Sequence, residues 1–108
     1  MKLIISAIKE NGRYELYLDK DIFVIKKGNQ EIKIESNEQE RVNTLISLFS
    51  LKSIWKKDNV ESDYQVSFYN KDSVDTFYFS NSFPSNWMLF LGSLEKLAGE
   101  GLWKTIQD

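Results

Sequence analysis

The sequence predicts an α+β two-layer sandwich, a largely antiparallel six-stranded sheet with two helices on one face, in the order ββββ-α-ββ-α. Short apolar-rich runs separated by tight turn signals fill residues 3–35 and 64–80. Two other stretches, after Asn37 and after Pro84, repeat apolar residues at helical spacing. No linker or low-complexity tract interrupts the 108 residues, so residues 1–108 read as a single domain near the commonest domain size.

The elements follow in order. Residues 3–8 are a strand-like run. Asn11-Gly12 is a hairpin signal, because a type I′ turn needs positive φ at both central residues. Residues 14–18 alternate and form the return strand, and Asp19-Lys20-Asp21 turns the chain again. Residues 22–27 are the third strand, Gly28-Asn29 the next turn, and residues 30–35 the fourth strand. There Ile32 and Ile34 alternate with Glu31, Lys33 and Glu35, which leaves one wet face.

Asn37 then reads as a helix cap, with Glu40 in the capping-box position. Val42, Leu45, Ile46 and Phe49 give the apolar stripe, widened by Leu48 and Leu51. The helix should run to about Ser53 and end near Trp55. Lys52, Lys56 and Lys57 suit the negative end of its dipole. Residues 58–63 are a polar loop.

Residues 64–69 and 74–80 form a second hairpin around Asn70-Lys71-Asp72-Ser73. A second helix is expected from near Pro84, since proline is favoured at the first helical position. Trp87, Phe90, Leu91, Leu94 and Leu97 supply its core stripe, and Ala98-Gly99 with Gly101 end it. Leu102, Trp103 and Ile106 are apolar anchors in a short tail.

Composition narrows the function. The chain has no histidine, no cysteine and one proline. Histidine is the commonest general acid or base near neutrality and the commonest metal ligand, and cysteine is the best neutral-pH nucleophile. No cofactor, metal site or catalytic residue is expected. The net charge of −2 provides no global field for nucleic acid or an anionic membrane. Residues 1–10 lack the apolar length of a signal peptide, and no stretch approaches a membrane span. The expectation is a soluble cytoplasmic protein. Twelve Lys against two Arg, with ten Ile and eight Asn, suggests an AT-rich genome such as that of a low-GC bacterium or its phage.

The local clusters have structural explanations. Lys52, Trp55, Lys56 and Lys57 offer a basic, stacking surface, but a helix end with Trp55 packed on the sheet is the preferred account, since Asp58, Glu61 and Asp63 follow at once and would repel a phosphate backbone. Asp58, Asn59, Glu61 and Asp63 lack the glycine and bidentate Glu of a calcium loop. Glu15, Glu31, Glu35 and Asp75 are not placed as a catalytic pair by anything in the sequence. In residues 81–87, Asn81 and Ser82 lead into the last helix, where free backbone N–H groups can hold a partner's carboxylate. Capping by Ser82 or Ser85, with Phe83 and Trp87 anchored in the core, is the preferred account there.

The best functional hint is that several strands are apolar on both faces. Leu3, Ile5 and Ala7 oppose Ile4 and Ile8; Ile22 and Val24 oppose Phe23 and Ile25; Val74 and Tyr78 oppose Phe77 and Phe79. Two helices cover one face. Either the sheet curls on itself or an apolar, tyrosine-bearing face is left for a partner. Tyr64, Val66 and Phe68 should face the core with Tyr14, Leu16 and Leu18. That leaves Tyr17 and Tyr69 outward as contact residues, with Phe77 or Tyr78 beside them according to register.

The element order, with Phe83-Pro84-Ser85-Asn86-Trp87 at the start of the last helix, loosely resembles emfourin-type protease inhibitors and several small bacterial immunity proteins. These pair an antiparallel sheet with two helices; no residue or activity is carried over. The expected function is a small non-catalytic protein-binding domain, an inhibitor, immunity or anti-defence factor acting by surface occlusion. The alternatives are a structural module that homodimerises through its open sheet face and, behind it, a carboxylate-based enzyme or small-ligand binder.

Overall fold

The computed structural model describes residues 1–9, 12–57, 63–80, 82–99 and 102, residue 9 by its backbone alone. The strands are β1 (Lys2–Lys9), β2 (Gly12–Leu18), β3 (Phe23–Lys27), β4 (Gln30–Lys33), β5 (Tyr64–Asn70) and β6 (Ser73–Phe79), with helices α1 (Glu38–Leu51) and α2 (Trp87–Ala98). The result is the α+β arrangement that the patterning predicts.

Alternation and short turns wind β1 to β4 into a meander. Gly28 takes φ 59° in the two-residue loop between β3 and β4, where a side chain would be strained. Asp19 accepts from the N–H groups of Asp21 and Ile22 at 2.7 and 2.9 Å, so it forms the turn before β3. The hairpin β5–β6 docks on the free side of β1. The strand order is β4-β3-β2-β1-β5-β6, every pairing is antiparallel, and the ends of the order do not meet to close a barrel.

The register sends Leu3, Ile5 and Ala7 to one face with Leu16, Leu18, Val66 and Phe68. Both helices cover that face. Leu45 and Leu48 of α1 and Trp87, Phe90, Leu91 and Leu94 of α2 join one core with the sheet. Asn37 caps α1 as expected, accepting from Glu40 N–H at 2.8 Å. Gly99, at φ 83°, ends α2 and donates to the Glu95 carbonyl at 2.7 Å. Among the described residues, no helix is long and apolar enough to cross a membrane.

Several details depart from the sequence reading. Ile22 precedes β3, and β4 stops at Lys33, although Ile34 N–H still donates to the Phe23 carbonyl at 2.8 Å. Gly12 begins β2 and pairs with Lys9; Asn11, the other residue of the expected turn, is outside the described residues. Ile46 is exposed, because it lies about 100° around the helix from Leu45. Helix α2 begins at Trp87, not Pro84. Trp87 N–H donates to the Pro84 carbonyl at 3.0 Å, which closes a turn before the helix. Trp103 and Ile106 lie outside the described residues, and Leu102 is buried in the core.

Candidate functional site

The face turned away from the helices is built by the alternate residues of all six strands. Its middle row runs Lys33, Val24, Tyr17, Ile4, Ser67, Thr76 from β4 to β6. The row on one side is polar: Glu31, Lys26, Glu15, Ser6, Gln65, Tyr78. On the other, Lys2, Tyr69 and Val74 lie side by side. No described element packs on this face. Val24, Ser6 and Ser67 are nevertheless buried, because longer neighbours close over them.

The outward parity expected for Tyr17 and Tyr69 is the parity observed. Tyr17 lies directly beside Ile4, and Tyr69, opposite Lys2, lies diagonal to Ile4 on the other side of β1; each ring is half-buried. Lys26 Nζ sits 4.9 Å from the Tyr17 ring centroid, and Lys2 Nζ sits 4.7 Å from that of Tyr69. The Tyr17 hydroxyl donates to Glu15, whose other oxygen meets Arg13 Nε at 3.1 Å. The bond to Glu15 raises the Tyr17 pKa above the usual tyrosine range, and burial adds to it.

Phe77 is corrected. It pairs with Val66 on the core face and is 2% exposed, so it offers nothing to a partner. Tyr78, one residue on, faces outward at the rim of the sheet. Ser82 is exposed and lines a groove beside the end of β6 with Ile54, Lys56, Tyr78, Phe79 and Phe83. Asn81 lies outside the described residues. The structure thus groups Tyr17 with Tyr69 on the sheet face and brings Tyr78, at the edge, together with Ser82 in the groove.

The basic cluster resolves into structure. Trp55 is 7% exposed and packs against Phe68, Phe77, Phe79, Trp87 and Phe90 with centroids 5.0–5.8 Å away, so its ring is closed to stacking with a base. Lys52 and Lys57 both bind the Asp75 carboxylate, the latter at 2.6 Å, instead of the end of α1. Hydrogen bonds from Lys52 and then Lys57 hold the Asp75 pKa below the usual carboxylate range. Asp75 is therefore ionised at neutrality and unsuited to donating a proton. Glu15 and Glu31 flank Lys26 on the uncovered face. Of the acidic loop that the sequence reading sets against a calcium loop, residues 58–62 lie outside the described residues, and among the described residues no three carboxylates cluster to hold a metal.

Two residues had no functional reading in the sequence. Asn86 does not cap α2 with its side chain. It accepts from Trp55 Nε1–H at 2.7 Å and donates to the Leu51 carbonyl at 2.8 Å. Tyr14 is 2% exposed, and its hydroxyl has no hydrogen-bond partner among the described residues. It lines an apolar crevice between the sheet and α2 with Ile5, Ala7, Leu91 and Leu94. Only their tertiary surroundings distinguish these two residues.

No family model, curated protein or solved structure matches this chain.

Proposed function

We propose that this chain is a non-catalytic protein-binding domain, an inhibitor, immunity or anti-defence factor of a bacterium or phage that works in the cytoplasm by occluding its partner's surface. The observation that supports this is the uncovered sheet face. It carries Tyr17, Tyr69 and Tyr78 among Ile4, Val24 and Val74 on a rigid sheet backed by a full core. Tyrosine gives broad contact area, a hydrogen-bonding tip and few rotamers to freeze. Lys2 and Lys26 over the rings shield them from water in the free protein.

The test is the double variant Tyr17→Ser/Tyr69→Ser. It should fold, by circular dichroism, with an unchanged core. It should bind the protein that the wild type retains stoichiometrically at least about tenfold more weakly, a loss of about 1.4 kcal/mol. If it unfolds, the rings are structural and the reading fails. If it folds and retains the partner fully, the contact surface is elsewhere. If sedimentation shows a wild-type dimer that the double variant dissolves, the face serves self-assembly.

A further inference from the structure

Strand β6 is the long edge of the sheet, paired with β5 alone. The two-residue loop Lys71-Asp72 closes on the pair Asn70–Ser73, so hydrogen-bonded pairs recur at every second residue from there. The backbone N–H and C=O groups of Val74, Thr76 and Tyr78 consequently point away from the sheet. No described backbone group bonds to them from that side. The opposite edge differs: β4 has four residues, all exposed, with Glu31 and Lys33 alternating along it, the short charged form that resists further pairing.

The two halves of β6 are protected unequally. In the first half Asp75 points inward, held by Lys52 and Lys57. An inward charge on an edge strand is a guard against another strand. The second half carries none. Beside it runs the groove lined by Ile54, Lys56, Phe79, Phe83 and Pro84. Ile54 is 57% exposed and Phe83 38%, and Met88 and Leu89, at 75% and 61%, extend the apolar surface onto the first turn of α2. Lys56 is exposed and makes no ion pair among the described residues. Among the described residues, Lys52, Lys56 and Lys57 against Asp75 leave this edge positive. Lys71 and Asp72 cancel in the loop, and Asp63 lies at the β5 side, bound by the Ser80 hydroxyl at 3.1 Å.

We propose that residues 76–79 and the adjoining groove dock an extended, acidic segment of a partner protein as a seventh strand. A row of outward N–H and C=O groups is matched by another strand, whose alternate side chains enter pockets beside the edge. Apolar side chains of the segment fill the groove along Ile54 and Phe83, and its carboxylates meet Lys56. The charge argues against a second copy of this chain. Antiparallel pairing of β6 with itself sets the Lys56 end of one copy against the Lys52–Lys57 end of the other, which is repulsive. This site is distinct from the Tyr17–Tyr69 patch and shares Thr76 and Tyr78 with the uncovered face.

The experiment is amide NMR of the whole chain with two probes, capped hexapeptides of alternating valine with glutamate and of alternating valine with lysine. The glutamate peptide should shift Ile54 and Lys56 and slow hydrogen exchange at Thr76 and Tyr78. The lysine peptide should bind at least about tenfold more weakly. Lys56→Glu should reverse that preference. Thr76→Pro, which removes an outward N–H where an edge strand tolerates proline, should abolish binding by both. If Thr76→Pro unfolds, the Lys56→Glu reversal and the map of shifts decide. The proposal is overturned by absent shifts along β6 at about 1 mM peptide, by equal binding of both peptides, or by shifts confined to the Tyr17–Tyr69 face. It is overturned too if rising protein concentration alone protects Thr76 and Tyr78, which assigns the edge to a second copy. Loss of the tyrosine-face function in Tyr17→Ser/Tyr69→Ser leaves these outcomes unaffected.

Discussion

Trp55 and Asn86 lock the two helices together: the indole N–H donates to Asn86 Oδ1 at 2.7 Å, while Asn86 Nδ2 donates to the Leu51 carbonyl at 2.8 Å. One side chain satisfies a buried indole and adds a second bond to the Leu51 carbonyl, where α1 passes into the short 3-10 turn Lys52–Ile54. Asn86→Ala leaves the indole N–H unpaired and should cost about 1–3 kcal/mol. Asn86→Asp keeps the acceptor and loses the donor, so it should fall between wild type and alanine. Trp55→Phe retains most of the ring packing and should cost less than Trp55→Ala, for which about 3–5 kcal/mol is expected. Urea denaturation of the four variants checks the order.

The stripe of α2 is the second load on the core. Trp87, Phe90, Leu91 and Leu94 are all buried, and the Phe90 and Trp87 rings stack with centroids 5.3 Å apart. Phe90→Ala should cost about 3–5 kcal/mol, a large share of the roughly 5–15 kcal/mol that holds a domain together. Unchanged thermal stability in this variant contradicts the packing.

Asp75 makes stability depend on acid. Its folded pKa lies below the ordinary 3.8, because Lys52 and Lys57 bind the carboxylate. The folded state therefore binds the proton less readily than the unfolded one. The stabilisation is fully present above the unfolded value and is lost as pH falls through the folded value. Asp75→Asn should be less stable than wild type at neutral pH, and the gap should close below about pH 4. Salt should narrow it at neutral pH, since the carboxylate is partly exposed. A gap that stays constant down to pH 2 contradicts the assignment.

Tyr14 should gain from losing its hydroxyl. A buried O–H without a partner costs about 1–3 kcal/mol relative to a satisfied one, and the crevice around it is apolar. Tyr14→Phe keeps the ring and should match or exceed wild-type stability. At about 1 kcal/mol the rise in Tm is roughly 4–8 °C. A fall of that size instead requires that the hydroxyl be satisfied.

Much of the fold was legible because its signals are local. The hairpins follow from alternation, and the parity of β5 follows from Tyr64, Val66 and Phe68 being more apolar than Gln65, Ser67 and Tyr69. That parity places Tyr69 outward, and the apolar set Tyr14, Leu16 and Leu18 does the same for Tyr17 on β2. The central position of β1 was not legible, because its pairing with β5 spans most of the chain and leaves no mark in either segment. The start of α2 was misplaced because proline propensity points to residue 84, while Asn86 is drawn into a contact with Trp55 and Leu51 that is purely tertiary. Phe77 and Tyr78 could not be told apart, since both are aromatic and a one-residue shift exchanges their faces. The groove at β6 assembles Ile54, Phe79 and Phe83 from three separate segments, beyond any local pattern.

The place of β1 in the sheet bears on how the chain is made. One neighbour, β2, follows it at once; the other, β5, lies about sixty residues later, with Lys2 finally opposite Tyr69. At the usual rate of synthesis, about 5–20 residues per second, roughly 3–12 s separate them on the ribosome. Throughout that interval a nascent β1–β4 meander has Leu3 and Ile5 uncovered and the inner edge of β1 free, a template for pairing with other chains. A fragment that stops before residue 64 should therefore collect as insoluble material, and slowing translation between residues 34 and 63 should lower the soluble yield of the whole chain while leaving its final stability unchanged.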